Sequence, residues 1–201
     1  MAVKKWCLIL GVSSGIGKAC ARSMSKAGWN VIGLHFDISE REEEISQLKL
    51  ELEATSEQVI FFNRNADNRK ERRSIVEHIK DLLNGDSIDL MLHSLAFGTL
   101  LPFIKVDGVE DVIQKSQMDM TLSVMAHSLV YWTQDLWDSK LIKSGAKIFA
   151  MTSGGSLMYS QNYGAVSAAK CALESHARQL ATELAPHGVM VNTIRALSLI
   201  H

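Results

Sequence analysis

Six short apolar runs punctuate the chain, and longer amphipathic stretches separate them. The runs are residues 6–10 (Trp-Cys-Leu-Ile-Leu), 30–36 (Asn-Val-Ile-Gly-Leu-His-Phe), 58–62 (Gln-Val-Ile-Phe-Phe), 88–93, 147–151 and 189–194. Stretches 15–27, 39–55, 69–83, 118–138 and 162–184 carry apolar residues at helical spacing, as Ile75, Val76, Ile79, Leu82 and Leu83 show. A near-continuous apolar strand has no wet face, so it must be covered on both sides. Strand–helix alternation with right-handed crossovers then predicts an α/β fold, a doubly wound parallel sheet of six strands. Pro186 and Gly188 stop the last helix. No repeat, low-complexity tract or second unit is visible, so residues 1–201 read as a single domain.

Composition removes several function classes. With 21 basic and 22 acidic side chains, the chain has no general attraction for nucleic acid or an anionic membrane. No apolar stretch approaches the ~20 residues of a membrane span. Lys4-Lys5 precedes an apolar run too short for a secretory signal, so a cytoplasmic protein is expected. Cys7, Cys20 and Cys171 form no C-x-x-C pair and read as small buried hydrophobes. No metal-ligand cluster is visible, and His127 reads as a packing residue. Glu42-Glu43-Glu44 and Arg72-Arg73 read as solvated helix faces, with carrier-protein docking a minor alternative for the arginines. Trp132, Trp137, Met118, Met120 and Met125 are expected mostly in the core.

Between the first run and the first helix stands Gly11-Val12-Ser13-Ser14-Gly15-Ile16-Gly17. Glycines there let the backbone turn tightly and approach a pyrophosphate, and the helix N-terminus supplies free N–H groups and a positive dipole end. Ser13 and Ser14 can add hydroxyl donors. Later in the chain, Tyr163 lies seven residues before Lys170. On a helix, seven residues turn about 700° and rise about 10 Å, so both side chains share a face within ~20°. Tyr159, eleven before the lysine, would lie ~16 Å down the axis and is the poorer acid.

The G-x-x-x-G-x-G spacing resembles the short-chain dehydrogenase/reductase family over residues 5 to about 195. Most members carry the acid four residues before the lysine, where this chain has Val166. The Tyr-x6-Lys spacing and the run His93-Ser94-Leu95-Ala96-Phe97 resemble bacterial enoyl-acyl-carrier-protein reductases. That resemblance implies a Rossmann-like dinucleotide-binding domain using NAD(P)H. Gly11, Ser13, Ser14, Gly15, Ile16 and Gly17 would hold the pyrophosphate end. Asp37 would accept from the adenosine ribose, and Asp67, with Asn68, would meet the adenine; capping is the alternative for both aspartates. Ser94 and Leu95 would line the cofactor cleft. Asp37, and Ser14 where many NADPH-using members carry arginine, favour NADH over NADPH, although His35 or Arg41 could hold a phosphate.

The implied chemistry is reduction of the trans-2 double bond of an enoyl thioester on acyl carrier protein or coenzyme A. Tyr163 would be the acid, and Lys170 would hold the nicotinamide ribose. Ser153, seventeen before Lys170, occupies the place of the serine that positions a carbonyl in the carbonyl-reducing majority, which keeps a carbonyl reductase as the alternative. Against it, the asparagine that majority carries in the 118–138 helix falls at about Met125. Relatives pair the 118–138 and 162–184 helices with their copies, implying a homodimer or homotetramer. After Arg195 the chain is expected to lack the usual C-terminal lid and seventh strand, making it C-terminally short. A non-catalytic dinucleotide-binding protein is therefore a third reading.

Overall fold

The computed structural model describes residues 4–106, 108 and 111–196. Its sheet has six parallel strands: β1 (Trp6–Leu10), β2 (Asn30–His35), β3 (Val59–Asn63), β4 (Leu90–His93), β5 (Lys147–Ser153) and β6 (Met190–Ala196). Their spatial order is β3-β2-β1-β4-β5-β6. The order reverses between β1 and β4, and the crevice beyond the strand ends at such a point is where open α/β sheets take their ligands. The helices are α1 (Gly15–Lys26), α2 (Glu42–Glu53), α3 (Arg69–Leu83), α4 (Lys115–Leu122), α5 (Ser128–Asp138) and α6 (Gly164–Leu184). The expected absence of a lid and seventh strand concerns segments that lie outside the described residues.

Two apolar layers hold the sheet. Cys7, Ile9 and Val31 pack with Ala21 of α1 and Leu48 and Leu52 of α2 on one face. Leu8, Leu10 and Ile32 face Ile75 and Ile79 of α3, Trp132 of α5 and Leu173 of α6 on the other. Successive strand residues thus serve opposite layers, which is why the central strand β1 is buried and apolar at every position.

Most elements fall where periodicity places them, and three differences have physical causes. The stripe over 118–138 is broken by a π-helical turn, Ser123–His127, between α4 and α5. Ser128 Oγ donates to the Val124 carbonyl there, so a side chain takes over a ladder acceptor. Arg72 is not a solvated face: it is 5% exposed, with Nε 2.6 Å from Asp135 Oδ2 and its guanidinium over Tyr131. Only Arg73 keeps the expected exposure. Cys171 is exposed rather than buried, its thiol 3.3 Å from the Ser156 carbonyl oxygen. Among the described residues, no helix is long and apolar enough to cross a membrane.

Candidate active site

The glycine turn joins the ends of three strands. Gly11 (φ +92°) donates its N–H to the Leu34 carbonyl at the end of β2. A Cβ at Gly11 would stand 2.7 Å from the Ser94 carbonyl oxygen beyond β4. A Cβ at Gly17 would stand 1.9 Å from the Gly11 carbonyl oxygen, so α1 can start against the turn only with glycine there. Gly15 (φ +51°) differs, since nothing lies within 4 Å of where its Cβ would be. Ser14 is the N-cap of α1, yet its hydroxyl makes no cap hydrogen bond. Ser13 is buried and Ile16 exposed. An open mouth at Gly15, a hydroxyl with no capping duty and the free N–H groups of α1 fit a pyrophosphate. Ser94 and Leu95 flank this turn, with Ser94 N–H donating to Leu10.

At the next strand end, Asp37 is committed to protein partners. Its carboxylate is ion-paired with Arg41 and lies 3.1 Å from His35 Nδ1, and its side chain is only 8% exposed. The Asn63 side chain brackets its backbone, accepting from the N–H and donating to the carbonyl. Burial pushes the His35 imidazole pKa down, and neighbouring Asp37 works against that. Arg41 remains 34% exposed on its side chain, pairs also with Glu44 at 3.0 Å and reaches the Ser13 carbonyl, 3.3 Å away. The cation therefore stands at the rim of the glycine turn and the anion behind it. Asp67 accepts a 2.6 Å bond from Ser123 Oγ in the π-helical turn. Asn68 caps α3, accepting from the Lys70 and Glu71 N–H groups. The capping alternative held open for Asp67 thus falls to its neighbour.

The third cluster lies at the C-terminal end of β5. Tyr163 is the N-cap residue of α6, and its hydroxyl is 3.2 Å from Ser153 Oγ. Its ring lies on Gly155, where a Cβ would meet Cε1 at 2.3 Å. Lys170, two helical turns on, is 5% exposed and donates from Nζ to the Met151 carbonyl at 2.7 Å. Met151 and Ser153 are two residues apart on one strand, so the phenol and the ammonium reach neighbouring points of the same strand end. Burial lowers the Lys170 pKa to about 8. His93 is fully buried; burial first, then the Lys170 charge, drives its pKa down to about 3. Its Nε2 lies 2.7 Å from Ser128 Oγ. Tyr159 is 91% exposed, and no hydrogen bond ties it to this cluster.

Tyr163 also lines a cavity of about 480 Å³, walled by Leu101, Pro102, Phe103, Ile104, Met158 and Tyr159 among others. Phe103 packs edge-on against Gly164, where a Cβ would lie 2.4 Å from its ring. This apolar wall was missed in the sequence, although Leu100-Leu101-Pro102-Phe103-Ile104 is a run with no helical period and no strand partner. Arg41 as the partner of Asp37 was missed as well; their separation of four residues was the available signal.

Comparison with known proteins gives the chain the following likenesses. A family model described as enoyl-(acyl carrier protein) reductase matches residues 11–199. A very-long-chain 3-oxoacyl-CoA reductase of Podospora anserina is 21% identical over 189 residues, 94% of this chain and 53% of the relative. The NADH-dependent enoyl-[acyl-carrier-protein] reductase FabI of Aquifex aeolicus is 30% identical over 128 residues, 61% of this chain and 46% of the relative. The chain thus spans about half the length of each. The crystal structure of acetoin dehydrogenase from Enterobacter cloacae superposes with a TM-score of 0.81 at 18% identity, over 97% of this chain and 73% of that one.

Proposed function

The chain belongs to the short-chain dehydrogenase/reductase family, and on that premise we propose that it reduces the trans-2 double bond of an enoyl thioester at the expense of NAD(P)H. The observation that carries the reading is the Tyr163 hydroxyl, 3.2 Å from Ser153 Oγ, at the mouth of an apolar cavity. Gly15, Ser14 and the α1 N-terminus would hold the pyrophosphate, and Lys170 the nicotinamide ribose. Bound there, the reduced cofactor supplies hydride to the substrate. As charge gathers on the thioester oxygen, Tyr163 donates its proton or a hydrogen bond, and Ser153 offers a second donor. The wall from Leu101 to Ile104 would give the acyl chain an apolar surface to lie against. Acyl carrier protein or coenzyme A would carry the thioester, and α5 and α6 would pair with a second copy, as a homodimer or homotetramer.

One observation favours a second reading. Two hydroxyls converging on one point also suit a ketone oxygen, so reduction of a 3-oxoacyl thioester is the alternative. Loss of reduced-nicotinamide absorbance on crotonyl-CoA, acetoacetyl-CoA and a simple ketone separates them. The proposal expects crotonyl-CoA to be fastest, and turnover confined to acetoacetyl-CoA would transfer it to the second reading.

On cofactor choice, the Asp37 carboxylate expected to favour NADH is paired and its side chain largely buried, while Arg41, which also pairs with Glu44, faces the rim; this supports NADPH as the proposed cofactor in place of NADH. Arg41→Ala should raise KM for NADPH by roughly 10–100-fold, the worth of a charge-assisted hydrogen bond, and leave KM for NADH within about threefold. An equal effect on both cofactors would remove Arg41 from phosphate recognition.

The lysine sets a pH dependence. Its folded pKa of about 8 lies below the ordinary value of 10.5, so the ammonium is lost as pH rises through about 8. The free enzyme's kcat/KM should therefore fall above pH ~8. Stability should move oppositely: between pH 8 and 10.5 the unfolded chain binds the extra proton, so folding gains as pH rises. Lys170→Met should flatten that rise in urea melts across this window. A slope unchanged in the variant would contradict the assignment.

A further inference from the structure

We propose that Glu174 is a positioning residue for the Ser153–Tyr163 pair, fixing the turn after β5 on which Ser153 stands. Glu174 lies on α6, one turn beyond Lys170, and one oxygen of its carboxylate collects three donors. Oε1 is 2.7 Å from Thr152 Oγ1, 2.8 Å from Ser156 Oγ and 3.3 Å from Arg195 Nη2. Thr152 and Ser156 bracket Ser153 in the chain. Thr152 and Arg195 are direct partners across the β5–β6 ladder, so both project to the face that α6 covers. A single carboxylate thus ties together the end of β5, the turn beyond it, the end of β6 and the helix that carries Tyr163 and Lys170.

The same helix face grips the turn at two further points. Ser167 Oγ donates to the Gly155 carbonyl at 2.6 Å, and the Cys171 thiol is 3.3 Å from the Ser156 carbonyl oxygen. Ser156 Oγ also lies 3.1 Å from the Ser153 carbonyl oxygen, so its one proton serves either that carbonyl or Glu174. Of the three α6 residues that grip the turn, Ser167, Cys171 and Glu174, only Glu174 is charged and only it bonds to β6. Although burial works against ionisation, bonds from Thr152 and Ser156 and the Arg195 charge hold its carboxyl below the usual range, so it is an anion at neutral pH. Ser153 Oγ meets Tyr163 at 3.2 Å, a separation that a small rotation of the turn would open or close.

The inference rests on Ser153 and Tyr163 being the oxygen-binding pair, and its test has one arm that needs no turnover. Glu174→Gln should lower kcat on the preferred thioester by about 10–100-fold, as expected for a misplaced reacting group, with NADPH affinity within about twofold. Ser153→Ala and the double variant with Glu174→Gln should then have nearly equal kcat, because the glutamate acts through the serine. The second arm labels the tyrosine ring Cζ atoms with ¹³C. The chain holds 3 tyrosines, Tyr131, Tyr159 and Tyr163, so the spectrum is readily assigned. Glu174→Gln should move the Tyr163 signal in the direction that Ser153→Ala moves it and leave Tyr131 and Tyr159 in place. Thr152→Val, which removes one donor, substitutes if Glu174→Gln fails to fold. Losses that multiply in the double variant, or a Tyr163 signal unmoved by Glu174→Gln, overturn the proposal. A wild type inactive on every thioester would sink the proposed function, and the tyrosine spectrum would still decide the role of Glu174.

Discussion

Tyr163→Phe should cut turnover by about 10²–10⁴-fold while NADPH binds within about twofold of wild type, the signature of removing a proton donor and little else. The phenyl ring keeps the contact with Gly155, so the N-cap of α6 and the cavity wall survive the change. What goes is the hydroxyl 3.2 Å from Ser153 Oγ. Ser153 remains as one donor to the substrate oxygen, which leaves residual activity rather than none. Tyr159→Phe is the control: at 91% exposure, its loss should change turnover less than threefold. Steady-state kinetics with fluorescence titration of NADPH reads both variants, and equal losses would refute Tyr163 as the acid.

Trp132→Ala should damage the fold severely, at about 3–5 kcal/mol, or a fall of roughly 10 °C in Tm. Trp132, on α5, is fully buried within the larger apolar layer. Its indole N–H donates to the Ala66 carbonyl at 3.0 Å, just before Asp67. Truncation leaves both a cavity and an unpaired buried carbonyl. The damage should extend to the adenosine end, since Asp67 is held from the other side by Ser123. Trp132→Phe keeps most of the volume and should cost about half as much. Urea melts that place Trp132→Ala within 1 kcal/mol of wild type would show that this layer is looser than its packing indicates.

The sheet and its flanking helices were legible because burial on two faces imposes apolar strands, and burial on one face imposes a helical stripe. The glycine turn was legible for a related reason: Gly11 and Gly17 have no room for a Cβ, so their spacing is dictated locally. The break between α4 and α5 was not legible. The apolar stripe runs through Ser123–His127, and no glycine or proline marks the turn; only a hydroxyl bonded to a displaced carbonyl reveals it. Arg72 was misread because its partner Asp135 stands 63 residues away, and a charged pair in a row looks like a wet surface. Glu174 escaped notice for the same reason: Thr152, Ser156 and Arg195 come from separate segments, and none is unusual in its local sequence. Asp37 was visible as an acid at the right place, but whether a carboxylate is free depends on what pairs with it, and Arg41 pairs with it.

The most direct test follows the hydride itself. Crotonyl-CoA is incubated with the protein and NADPH deuterated at the transferable C4 position, and the product is read by mass spectrometry and NMR. The account predicts butyryl-CoA carrying one deuterium at C3, at a rate that collapses in Tyr163→Phe. Unlabelled or absent product from protein saturated with the deuterated cofactor would contradict it.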